Sequence, residues 1–163
     1  MPPFSTDKLD ALMERAGIDV LIATSKQNIQ YLTGGYYFFM YEAMPAMGVS
    51  RYLPVLIYPK GRPDLAAYVG SNEKNAMAGH PIWVPNIFHA ELNSVAVARK
   101  AAEYLGKLSV PTRTIAYEQA FMPADAADAL RGAFEAKYVE ALRTLELLRA
   151  VKSAHELDML REA

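Results

Sequence analysis

The chain has 163 residues, 52% of them apolar, with 17 basic against 18 acidic side chains and a net charge of −1; a length of this order is one domain by prior, burying roughly 68–70% of the surface its unfolded form exposes. Balanced charge with no block of like sign argues against nucleic acid as a partner, and the absence of cysteine excludes a disulfide framework, a zinc-thiolate site and a thiol nucleophile. No apolar run approaches about 18 residues, and the opening MPPFSTDKLD has prolines and acids where a signal peptide needs a basic region. Membrane spanning is not expected, and the expected location is cytoplasmic.

A helix is expected over Thr6 to Ala16, with Ser5 as N-cap, Asp7 in the first turn, Leu9, Leu12, Met13 and Ala16 on one face, and Gly17 as the left-handed residue that closes it. IDVLIAT reads as a buried parallel strand. Ser25 then caps a short helix that turns Ile29 and Leu32 inward and ends at Gly34 and Gly35. VSRYLPVLIYP is a long strand-like run interrupted by Pro54, which predicts an edge position or a bulge because proline cannot donate to a ladder. A turn over Lys60 to Pro63 returns the chain through DLAAYVG, so residues 49 to 70 read as an antiparallel hairpin.

SNEKNAMAG reads as a short helix capped by Ser71 or Asn72, and IWV as a short strand. The last third alternates: a helix from Asn93 to Leu105 closed by Gly106, the strand TIAYE, a helix from Pro123 to Phe134, the strand KYVEA and a helix over Leu142 to Leu148. Alternation around a central hairpin implies an α/β, three-layer domain with a mixed, roughly six-stranded sheet flanked by helices. The chain then stops on SAHELDMLREA, where Ser153 and Glu156 form a capping box and Leu157 and Leu160 begin an apolar stripe. A helix starts here, and no closing glycine, asparagine or proline follows.

Signatures of catalysis are missing: there is no G-x-G-x-x-G, no Walker A loop and no G-x-S-x-G elbow. His80, His89 and His155 are scattered without an i, i+4 ligand partner. His155 with Asp158 reads as a solvated helix face, and Asp125 with Asp128 as acids that the helix dipole favours in a first turn. GGYYFFMYEAMPAMG, residues 34 to 48, stands apart because neither period 2 nor period 3.6 hides all of its aromatic and methionine side chains. It is either a loop folded over the sheet as a lid to the core, or an aromatic wall for a substrate pocket or subunit interface. Arg51, just beyond it, offers a planar fork to a carboxylate.

The order IDVLIAT, NIQYLTGG, RYLPVLIYPKG, IAYE and LRAVKSAHELDMLREA resembles the N-terminal domain of the creatinase/prolidase family of pita-bread metallohydrolases, which includes Xaa-Pro dipeptidases, Xaa-Pro aminopeptidases and creatinase. The resemblance implies a fold with a ribonuclease H-like motif. It also implies that residues 1 to 152 form the N-terminal domain and that 153 to 163 begin a connector helix into a C-terminal catalytic domain. The family's two divalent ions (Mn, Co or Zn) sit in that other domain on two aspartates, a histidine and two glutamates. No catalytic residue or metal ligand is therefore expected here; Gly79-His80 is not the family's metal histidine, because Pro81-Ile82-Trp83 follows it.

Partners implied are the C-terminal pita-bread domain of the same chain and a second subunit in a homodimer. By resemblance the segment Tyr36 to Met47 intrudes on the partner's site, with Tyr36, Tyr37, Phe39 and Tyr41 as contact candidates and Arg51 matching an arginine that meets the substrate carboxylate in creatinase. The implied function is a non-catalytic domain of an Xaa-Pro peptidase-like hydrolase. A creatinase-like amidinohydrolase domain and a standalone binding or assembly module are the alternatives.

Overall fold

The computed structural model describes residues 1–40, 53–71, 73–152, 157 and 161. Expectations placed on Tyr41, Met47, Arg51, Asn72, the Ser153–Glu156 capping box, His155 and Asp158 lie outside the described residues.

Helix α1 (Thr6–Ala16) forms as its caps dictate: the Ser5 hydroxyl accepts from Lys8 N at 3.3 Å, and Gly17 closes it at φ 66°. Leu9, Leu12 and Met13 are buried, whereas Ala16 is exposed. Ser5→Ala is expected to lower stability by about 1 kcal/mol in a urea titration, the usual worth of an N-cap. Strand β1 (Val20–Ala23) is buried throughout, and Ser25 accepts from Asn28 N to start α2 (Lys26–Thr33). Gly34 and Gly35 follow at φ 81° and 94°, a conformation that closes the helix and redirects the chain.

β2 (Val55–Pro59) and β3 (Ala67–Gly70) form the expected antiparallel hairpin, joined through a turn at Gly61 and a 3-10 turn over Pro63–Leu65. The expected edge position is overturned. β2 lies inside the sheet between β1 and β3, and Pro54 stands one residue before it, so its missing N–H never enters the ladder. Helix α3 (Lys74–Gly79) begins after Glu73 with no side-chain cap bond. Ser71 is not its cap: the Ser71 hydroxyl donates to Glu91 O at 3.0 Å.

The expected strand IWV is not one. Pro81 and Pro85 bracket it, Trp83 Nε1 donates to Leu32 O at 2.6 Å, and the strand is the next segment, β4 (Asn86–His89). α4 (Ser94–Leu105), β5 (Thr114–Tyr117), α5 (Ala124–Ala133), β6 (Lys137–Glu140) and α6 (Leu142–Ala150) follow in order, close to the expected bounds.

The six strands form one mixed sheet in the order β4-β3-β2-β1-β5-β6. β1 pairs parallel with β5 and antiparallel with β2, so β2 alone runs against the other five. Period-2 alternation sorts the core. Leu21, Ala23, Leu56, Tyr58, Tyr68 and Ala116 face α1, α2, α3 and α6, while Val20, Ile22, Val55, Ile57, Val69 and Ile115 face α4 and α5. The result is a three-layer α/β domain whose two cores share the sheet as a wall.

Candidate functional site: the carboxyl edge of the sheet

Because five strands run in one direction, β1, β3, β4, β5 and β6 all end on one edge, which is also where β2 begins. The helix after β1 packs on one face and the helix after β5 on the other, which makes the β1/β5 junction a switch point of the kind where α/β sheets hold ligands. In this chain the junction is filled from within by Glu118, a fully buried acid just beyond β5. Its Oε2 accepts from Thr24 N at 2.6 Å and Ser25 N at 2.8 Å, and its Oε1 from Asn28 Nδ2 at 2.7 Å. Three donors to one carboxylate compensate a burial that would otherwise be prohibitive.

Asn28 extends the network outward. Its Oδ1 accepts from Arg149 Nη1 at 2.9 Å, and the Arg149 guanidinium lies 5.8 Å from the Tyr31 ring centroid. Lys8 Nζ donates to Leu148 O at 2.6 Å, a cation on the carbonyl end of α6 where the helix dipole favours it. The last turn of α6 is thereby tied to both α1 and the β1/β5 junction.

A second buried carboxylate stands beyond β3. Glu73 Oε1 accepts from Ser71 N at 3.1 Å, and Oε2 accepts from Tyr36 Oη at 2.8 Å and Tyr68 Oη at 2.9 Å. This bond brings the aromatic segment onto the sheet. Tyr36, Phe38 and Met40 point inward, with Tyr36 only 5% exposed and its ring edge-on to Tyr68. Tyr37 and Phe39 point outward at 45% and 59% exposure, and Lys26 Nζ sits 5.6 Å from the Tyr37 ring centroid. Over residues 36–40, burial and exposure thus fall on alternate residues.

Beside Tyr37 an open groove of about 530 Å³ is lined by Thr33, Gly34, Gly35, His80 and Ile82 among others. Of the sequence-derived candidates, Tyr37 and Phe39 are therefore on the surface, Tyr36 is inside, and Tyr41 and Arg51 fall outside the described residues. Glu73 and Glu118, which organise the edge, carried no sequence signal beyond an acid at the end of an apolar strand. His89, at the end of β4, is held below the usual histidine range by burial and by Lys74, with Glu73 opposing. Among the described residues no three His, Asp or Glu side chains converge as a metal-ligand set, and both buried carboxylates are occupied by hydrogen bonds. No helix of the described residues is long and apolar enough to cross a membrane.

The family model described as the Creatinase/Prolidase N-terminal domain matches residues 6–151. Among solved structures, an Xaa-Pro dipeptidase from Bacillus anthracis superposes with TM-score 0.69 at 18% identity, over 97% of this chain and 38% of that one. A proline dipeptidase from Streptococcus pneumoniae TIGR4 gives TM-score 0.67 at 16% identity, over 91% and 99%. The N-terminal domain of the cytoplasmic peptidase PepQ from Mycobacterium tuberculosis H37Rv gives 0.60 at 23% identity, over 88% and 97%. The chain thus spans about two-fifths of the length of the Bacillus anthracis protein and nearly all of the other two. No curated protein sequence matches it.

Proposed function

The chain belongs to the creatinase/prolidase N-terminal domain family, and from that premise we propose that it is the auxiliary domain of a metal-dependent hydrolase acting on a peptide bond next to proline. The similar structures named as Xaa-Pro or proline dipeptidases support a peptide substrate over a creatine-like one. In this reading residues 1 to 152 shape the substrate site of a partner subunit in a homodimer, and 153 to 163 lead into a pita-bread domain that carries two divalent ions. When bound there, such ions would supply Lewis-acid chemistry for peptide hydrolysis. The contribution proposed for this chain is to bind and orient substrate. A cytoplasmic location accords with the absence of cysteine and with the PepQ neighbour.

The observation that carries this reading is the outward pair Tyr37 and Phe39, backed by buried neighbours at each alternate position. Large aromatic groups held at a fixed orientation on a surface are what contact sites use, because they lose little side-chain entropy on binding. Tyr41 and Arg51 are proposed to join them. Replacing Tyr37 and Phe39 together with alanine is expected to weaken self-association, or Xaa-Pro affinity in the natural polypeptide, about tenfold or more, with unfolding free energy changed by less than about 1 kcal/mol. Sedimentation velocity across a concentration series, with urea unfolding alongside, reads both. A loss of several kcal/mol in stability with unchanged association would assign the pair to the core and remove the support for this reading. A standalone assembly module remains the second reading, favoured by the same exposed pair, and separates from the first in that its natural chain has no hydrolase activity.

A further inference from the structure

We propose that Glu73 is the positioning residue for the outward pair Tyr37 and Phe39, acting through the hydroxyl of Tyr36. The carboxylate is fully buried and gathers donors from two parts of the chain: Ser71 N and Tyr68 Oη from β3 and its exit, and Tyr36 Oη from the aromatic segment. Of these three donors, Tyr36 alone belongs to the segment it would position. Burial alternates along the segment, with Tyr36, Phe38 and Met40 inside and Tyr37 and Phe39 exposed, so an anchored Tyr36 holds the stretch of chain from which the outward pair projects.

Space around Glu73 is reserved for this contact. A Cβ added at Gly70 would stand 2.2 Å from Glu73 Oε1 and 2.8 Å from both Glu73 Cδ and Tyr68 Cε1, so the strand carries the one residue type that lets the carboxylate lie against it. A hydrogen bond to a buried carboxylate is worth more than a neutral one, and it fixes direction where apolar packing of Phe38 supplies only depth. The Tyr36–Glu73 contact therefore sets where the pair points, and this inference rests on the reading that the pair is a contact surface.

The test compares Tyr36→Phe with Tyr68→Phe in the 163-residue chain. Both remove one phenol donor from the same carboxylate, and of the two donors Tyr36 is the one carried by the aromatic segment. Cleavage by chymotrypsin after Tyr37 and Phe39, located by mass and timed under native conditions, reads local release of the segment. Tyr36→Phe is expected to accelerate it about tenfold or more and Tyr68→Phe less than about twofold, with similar melting temperatures for the two. Glu73→Ala, which removes the acceptor altogether, should follow Tyr36→Phe; should it fail to fold, the phenylalanine pair still decides. Equal acceleration by both, or none by Tyr36→Phe, overturns the positioning role. Self-association of the same variants separates the two proposals: release of the segment without any change in association supports the positioning role and overturns the contact role.

Discussion

Glu118→Ala is expected to lower the unfolding free energy by about 3–5 kcal/mol, measured by urea denaturation at neutral pH. The substitution leaves Thr24 N, Ser25 N and the Asn28 side-chain amide buried with no acceptor. Each stranded donor costs about 1–3 kcal/mol, and together they exceed the modest volume lost. Asn28 also passes the effect on to Arg149, so the last turn of α6 should lose hydrogen-exchange protection along with the β1/β5 junction. Glu118→Gln keeps the shape and one acceptor oxygen, and is expected to cost less. A loss below about 1 kcal/mol for the alanine variant would mean that the carboxylate is incidental to the fold.

The second large effect is expected at Gly70. Gly70→Ala places a methyl group where Glu73 Oε1 and the Tyr68 ring already stand, so either the carboxylate is pulled from Ser71 N, Tyr36 Oη and Tyr68 Oη or the strand shifts. Overpacking by one methyl group usually costs about 1–3 kcal/mol, and a displaced buried carboxylate adds to it. About 3 kcal/mol is the expected loss. Combining Gly70→Ala with Glu73→Ala relieves the clash, so the double variant should be more stable than the sum of the two single losses predicts. Strict additivity in that cycle would show that the two residues do not touch.

Most of the architecture was legible because local signals agreed with the global fold. Ser5 and Ser25 cap the helices they announce, Gly17 and Gly34 close them, and the apolar runs at Val20, Val55 and Ile115 are strands buried on both faces. The two strand errors share a cause. Pro54 stands just before β2 and not inside it, and IWV, apolar enough for a strand, is bracketed by Pro81 and Pro85. In each case proline, which lacks a donor, marks a boundary that the apolar composition beside it masks.

The candidate surface was legible only in part. Composition singles out the segment beginning at Tyr36, but composition does not say which side chains point out. That assignment depends on Glu73, 37 residues further along the chain, which no local pattern connects to Tyr36. Glu118 is similar: its donors come from Thr24, Ser25 and Asn28, which lie 94, 93 and 90 residues away in sequence. Long-range polar pairs leave no periodic trace, unlike the apolar stripes that announce helices and strands.

The most direct test of the proposed division of labour is hydrolysis of an Xaa-Pro dipeptide, with Mn²⁺ supplied, by the intact natural polypeptide and by residues 1–163 alone. The account predicts turnover by the intact polypeptide and none above background by the 163-residue chain. Comparable turnover by residues 1–163 alone, or a natural polypeptide that ends at Ala163 and has no activity, would contradict it.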